Sequence, residues 1–90
     1  MIRDITYNDI DIISNIGQLY DTNFNKLYNL KNYIDNDIYI LKCYEEHGII
    51  KGFLIATKLY ENAEILLIYV LEEYRKQNIG TKLIIPVMSL

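Results

Sequence analysis

The sequence predicts an α/β domain of the α+β kind, ordered as one strand, two helices, a three-stranded antiparallel meander and a closing helix. Three observations carry that prediction. Apolar residues recur at helical spacing through the first third of the chain, then at a period of two from Ile38 onward. The period-two stretches are joined by turns of a few residues, the connection length of hairpins rather than crossovers. An apolar stretch ending at Val70-Leu71 then runs into a basic, glycine-containing turn and a fresh helical onset within residues 70–83.

Residues 2–5 read as a short strand. Thr6-Tyr7-Asn8-Asp9 has the form of a capping box, with a hydroxyl at the cap and a carboxylate three residues on, and it predicts a helix start. Ile10, Ile13, Ile16, Leu19 and Tyr20 then form one apolar face. Residues 21–25 break the pattern as a loop, after which Leu27, Leu30 and Ile34 give the buried stripe of a second, shorter helix ending near Asp35-Asn36. The next strand alternates Ile38, Ile40, Lys42 and Tyr44 against Tyr39, Leu41 and Cys43. Glu45-Glu46-His47-Gly48 is its turn, residues 49–60 return, Glu61-Asn62 turns again, and residues 63–71 form the third strand of the meander. Gly52 inside a strand suggests a bulge or a close backbone approach, with a plain packing concession an equal alternative. The closing helix starts near Ile79 or Gly80, and Pro86 is expected to end it after barely two turns.

Composition narrows the class of protein. The 90 residues are 51% hydrophobic and 23% charged, with a net charge of -3 and one proline, so one ordered domain over residues 1–90 is expected and disorder is not. The longest apolar stretch, residues 65–71, is far too short for a bilayer, and the N-terminus carries acid where a signal peptide carries base. A cytoplasmic protein without a membrane partner is expected. Cys43 is the single cysteine, which excludes an internal disulfide and a zinc cluster and reads as a core thiol. The acidic balance and the lack of a basic stripe argue against nucleic acid.

The turn after Val70-Leu71 has the layout of a phosphate cradle. Backbone N–H groups at a helix N-terminus lack intrahelical partners and sit at the positive end of the dipole, so they bind an anion without a conspicuous basic patch. The spacing fits neither a Walker loop nor a three-glycine dinucleotide fingerprint. Instead, Arg75-Lys76-Gln77-Asn78-Ile79-Gly80 resembles the Arg/Gln-x-x-Gly-x-Gly/Ala signature of the GNAT superfamily of acetyl-CoA-dependent N-acetyltransferases. The apolar strand before it, Ala63-Glu64-Ile65-Leu66-Leu67-Ile68-Tyr69-Val70, and the acidic-aromatic-basic turn between them strengthen the likeness. Asn78 stands where the family usually has its first glycine, and Asn is the residue that next best tolerates a left-handed backbone. Within the superfamily, Ala63-Glu64-Ile65 and Tyr74-Arg75-Lys76-Gln77 with Ile79-Gly80 look closest to the ribosomal-protein alanine N-acetyltransferases.

The resemblance implies a GNAT-like acyl-CoA N-acyltransferase fold and acetyl-CoA as cosubstrate. It assigns the pyrophosphate to backbone groups of Arg75, Lys76, Gln77, Asn78, Ile79 and Gly80, with Thr81 and Lys82 at the helix start. For the side chains of Arg75 and Lys76, phosphate contact and a solvated basic turn weigh equally. Val70 and Leu71 would offer main-chain groups to the pantetheine arm and the acetyl oxygen. Glu64 occupies the position of a catalytic glutamate in several members, although a solvated hairpin end is the preferred reading of a charge beside a turn. His47 reads as a surface residue, and Glu72 and Glu73 as solvated residues able to steer an amine.

The family's domains run about half as long again, continuing with strands and a helix beyond the cofactor loop. The sequence is therefore expected to be a truncated or frameshifted remnant, or a reduced form that completes its sheet as a homodimer or with a second chain, because a free edge strand invites pairing. The reading at this level is an N-acetyltransferase of a primary amine, a protein N-terminus among the acceptors, with activity in doubt for the chain alone. The alternative is a non-catalytic acyl-CoA-binding or protein-interaction module that uses the exposed strand edge.

Overall fold

Four antiparallel strands, β1 (Ile2–Asp4), β2 (Tyr39–Glu46), β3 (Ile49–Leu59) and β4 (Asn62–Val70), lie side by side in chain order. Helices α1 (Ile10–Tyr20), α2 (Phe24–Leu27) and α3 (Leu30–Ile34) intervene between β1 and β2, and α4 (Ile79–Met88) follows β4. A computed structural model describes residues 1–88. The predicted α+β order is thus the observed one, except that the second helix divides in two. Its stripe also differs: Leu30 is buried, whereas Leu27 is exposed and Phe24, expected in the loop, is fully buried.

The sheet carries a core on each face, which is why its central strands read as apolar on both sides. One core joins Ile13, Ile16, Phe24 and Leu30 to Leu41, Cys43, Phe53, Ile55 and Leu67. The other joins Leu83, Val87 and Ile79 of α4 to Tyr44, Leu54 and Ala56. Leu19 and Tyr20, expected on the buried face of α1, are exposed instead. The close approach of α2 shifts that face toward Gly17, where an added Cβ would lie 2.5 Å from the Phe24 ring. Cys43 is buried, and burial pushes its thiol up to about 11, so it is a neutral core group.

Turn chemistry sets both hairpins. His47 and Gly48 adopt φ of 54° and 77°, the left-handed pair that a two-residue hairpin loop requires, and Gly48 meets that need without strain. The second hairpin turns one residue earlier than expected, at Tyr60-Glu61, with Tyr60 at φ 59°.

Strict alternation fails at two bulges. Gly52 faces Tyr44 while Ile50 faces Glu45, leaving Lys51 as an extra residue in β3. Ala56 faces Ile65 while Ile55 faces Leu67, leaving Leu66 extra in β4. Gly52 also permits a close approach, since a Cβ there would lie 2.9 Å from the Tyr69 carbonyl oxygen. Pro86 does not end α4 as expected. Lys82, whose carbonyl loses the i to i+4 donor at Pro86, is on the exposed flank, where water can replace it. The helix continues because Val87 is anchored in the second core. Ser89 and Leu90 lie outside the described residues.

Candidate functional site: the cleft between β4 and α4

The C-terminal end of β4 and the N-terminus of α4 diverge around a cleft of about 590 Å³ lined by Ile68, Val70, Tyr74, Arg75, Gly80 and Thr81, among others. Its geometry follows from the ladder. The Leu71 amide donates to the Lys51 carbonyl oxygen at 2.9 Å, so the 71–51 pair is hydrogen-bonded and the neighbouring 70–52 pair is not. In an antiparallel pair that alternation turns the N–H and C=O of Val70, and of Ile68 two residues earlier, away from β3. Among the described residues no strand lies on that side of β4.

Beyond Leu71 the chain makes a single 3-10 turn, Glu72–Tyr74, closed by the Tyr74 amide donating to the Leu71 carbonyl at 2.9 Å. Two left-handed residues, Lys76 at φ 67° and Asn78 at φ 63°, then reverse the backbone into α4. Asn78 holds the conformation that the family's glycine position implies, at a residue type that tolerates it. Lys76, which no sequence signal marked, shares it. The Lys82 amide donates to the Asn78 carbonyl at 3.0 Å, so the amides of Ile79, Gly80 and Thr81 precede the first intrahelical bond and have no acceptor within the helix. They form the positive end of the α4 dipole and border the cleft. At Gly80 the nearest atom to an added Cβ is Ile68 Cδ1 at 3.9 Å, an ordinary van der Waals contact, so a methyl would be accommodated there.

The predicted site residues divide into those that meet here and those that do not. Val70, Arg75, Lys76, Asn78, Ile79, Gly80 and Thr81 all line the cleft. Leu71, just past β4, is half-buried against the first core with its amide and carbonyl already bonded to Lys51 and Tyr74, and Gln77 is exposed outside the lining. Arg75 directs its Nε at the Val70 carbonyl oxygen, 3.0 Å away, with its guanidinium 5.4 Å from the centre of the Tyr69 ring. Glu64 is exposed at the start of β4, six residues and about 20 Å from Val70, beside a separate hollow with Thr57, Tyr60 and Asn62. His47 is an exposed turn residue, as expected.

Sequence reasoning did not single out Ile68, Tyr69, Tyr74 or Ile84, which also line the cleft. Ile68 and Ile84 were legible in principle, being two residues from Val70 along a strand and four from Gly80 along a helix, and hence on the same faces. Tyr74 belongs to the support of the loop. Lys51 Nζ stands 4.6 Å from its ring centre and 2.7 Å from Glu46 Oε1. The hydrogen bond with Glu46 holds the Lys51 ammonium above its ordinary range and the carboxylate below, so the pair stays charged across the neutral range.

Comparison with known proteins agrees with this architecture. The family model described as the acetyltransferase (GNAT) family matches residues 10–88. Among solved structures, the PaiA N-acetyltransferase of Thermoplasma acidophilum in complex with coenzyme A superposes with a TM-score of 0.87 at 16% identity, covering 99% of this chain and 69% of that one. An aminoglycoside 6'-N-acetyltransferase complexed with coenzyme A gives 0.80 at 19% identity, covering 96% of this chain and 52% of that one. An acetyltransferase from Vibrio fischeri gives 0.76 at 16% identity over 99% of this chain and 84% of its own. No curated protein matches. The chain spans about two thirds and about half the length of the first two structures.

Proposed function

Because this chain belongs to the GNAT acetyltransferase family, we propose that it transfers an acetyl group from acetyl-CoA to a primary amine, with a protein N-terminus as the favoured acceptor. The observation that carries the proposal is the cleft in which the outward-facing backbone of Ile68 and Val70 meets the three acceptor-less amides of α4. That arrangement suits a long ligand with a diphosphate at one end and an amide-bearing arm along the strand edge. The Ile79, Gly80 and Thr81 amides hold the diphosphate, Lys76 adds charge, and the Val70 N–H orients the arm or the acyl oxygen. Bound acetyl-CoA supplies the thioester, an acyl donor that an amine can attack directly. Glu64 is the carboxylate proposed to accept the amine proton, but about 20 Å along β4 from Val70 it is beyond the reach of a single bridging water, so the proton would have to travel to it along a chain of waters.

The preference for an N-terminal acceptor rests on the resemblance of Ala63-Glu64-Ile65 and Tyr74-Arg75-Lys76-Gln77 to the ribosomal-protein alanine acetyltransferases. A second reading, a non-catalytic acyl-CoA-binding or interaction module, is favoured by one observation. The cleft lining contains no carboxylate, imidazole or thiol among the described residues. In that reading the outer edge of β4 accepts a strand from a second copy or another chain.

Calorimetric titration with acetyl-CoA tests the proposal, using the parent chain, Gly80→Ala and Gly80→Glu. Saturable binding by the first two and none by the third is expected, because a methyl at Gly80 meets only Ile68 at ordinary contact distance, whereas a carboxylate meets the amides' ligand with bulk and like charge. Release of free coenzyme A thiol in the presence of an Ala-initiated peptide would mark the enzyme. Binding without release by any amine favours the module, and failure of the parent to bind overturns the cofactor site.

A further inference from the structure

Lys51 owes its direction to a strand irregularity. It is the extra residue where the β3 register slips against Tyr44 and Glu45. Ile50 and Phe53 share one core although they stand three apart, so the bulge turns Lys51 and Gly52 toward the α4 side together. There the ammonium sits between Glu46 Oε1 at 2.7 Å and the Tyr74 ring at 4.6 Å, with 12% of its side chain exposed. Tyr44 supports the arrangement by donating its hydroxyl to Glu46 Oε2 at 3.3 Å. The main chain of Lys51 takes hold as well, because its carbonyl accepts the Leu71 amide. One residue thus contacts both ends of segment 71–74, which joins β4 to the cleft loop.

The chemistry suits a brace. The ammonium has its counter-charge in Glu46 and lies over the Tyr74 ring, where a cation is attracted to the aromatic face. Tyr74 is the last residue of the 3-10 turn, and Arg75, directly after it, lines the cleft with Lys76 and Asn78.

We infer that Lys51 is a positioning residue for the cofactor cleft, acting through Tyr74 and Leu71 to set the angle at which segment 71–74 delivers the 75–80 loop to α4. The inference rests on the acetyl-CoA reading above, yet its structural half stands without a ligand. Lys51 does not line the cleft, so on this inference its variants change cofactor affinity by moving the turn.

The experiment uses the full chain and its Lys51→Met, Lys51→Arg, Tyr74→Leu and Lys51→Met/Tyr74→Leu variants. Acetyl-CoA affinity is measured by calorimetry, and amide hydrogen exchange at Leu71 and Tyr74 is measured without ligand. Lys51→Met should weaken acetyl-CoA binding about fivefold to tenfold and speed exchange of the Tyr74 amide, while Lys51→Arg stays within about twofold of the parent. Adding Lys51→Met to Tyr74→Leu should cost little more, since both remove the same contact. Equal affinity and equal exchange in a folded Lys51→Met variant, or full additivity with Tyr74→Leu, overturns the inference. If the parent itself fails to bind, the cofactor reading falls, and the exchange comparison alone decides whether Lys51 sets the turn. Should Lys51→Met fail to fold, Tyr74→Leu and Lys51→Arg carry the same two readouts.

Discussion

Arg75 donates its Nε to the carbonyl oxygen of Val70 across 3.0 Å, folding back onto the strand that precedes the cleft loop. A basic residue in a phosphate-binding turn is ordinarily read as a phosphate ligand, but this bond makes Arg75 a tie between loop and strand edge. The Tyr69 ring beneath the guanidinium reinforces the tie. Charge and geometry are separable here, because Lys keeps the charge and lacks Nε. Arg75→Lys and Arg75→Ala should therefore weaken acetyl-CoA binding to a similar extent, about fivefold. Full retention by Arg75→Lys in a calorimetric titration would return Arg75 to the role of a phosphate charge.

Asp9 ties the N-terminal segment to the sheet and makes stability depend on acid. Arg3 grips its carboxylate with two nitrogens, at 2.7 and 2.9 Å, and reaches Glu45 at 3.1 Å, while the Thr6 amide donates to Asp9 at 2.8 Å. The Arg3 guanidinium holds the Asp9 carboxyl at about 2, below its ordinary 3.8. A depressed folded-state value means that the contribution is complete above the ordinary value and is lost as pH falls from about 4 toward 2. The loss attributable to Asp9 is about 2 kcal/mol. Urea unfolding at a series of pH values should show the parent losing this amount more than Asp9→Asn over that window, and parallel curves would refute it.

Gly17 is required by packing rather than by its dihedral. An added Cβ would stand 2.5 Å from the ring of Phe24, which is fully buried against Phe53 in an edge-to-face pair at 5.7 Å. Gly17→Ala should destabilise the fold by about 1–3 kcal/mol despite its better helix propensity. Chemical denaturation gives the sign directly, and a more stable variant would mean that α2 moves aside at no cost.

Asn78 tests the loop's backbone. At φ 63° it is one of two non-glycine residues in the loop held in the left-handed region. Asn78→Gly should preserve acetyl-CoA affinity and the fold, whereas Asn78→Ala should cost about 1 kcal/mol in stability. Equal stability of the two variants would show that the loop relaxes out of the left-handed region when Asn is removed.

Much of this molecule was legible in local sequence. The Thr6-Asp9 capping box, the His47-Gly48 hairpin and the helical onset at Ile79 all depend on residues within a few positions of one another. The cleft lining was legible in the same way around Val70 and Gly80, because the family motif is contiguous. What failed did so at contacts between distant segments. Phe24 reads as part of a polar loop until Gly17 opens a place for its ring, and Leu19 and Tyr20 read as core until α2 takes the neighbouring flank.

The sequence by itself determined the kinds and order of the elements, because hydrophobic period and turn chemistry act over a few residues. Only the tertiary structure decided the faces. The bulges at Lys51 and Leu66 are register slips between strands, set by how partner strands fit and invisible in either strand alone. They turn Lys51 toward Tyr74 and bring Ile68 and Val70 to the α4 side. The same holds for Pro86, which breaks a helix in isolation but not one whose next residue, Val87, is anchored in a core. Local preference is a matter of about 1–3 kcal/mol per residue, and burial of an apolar side chain against a distant partner is of the same size, so the partner decides.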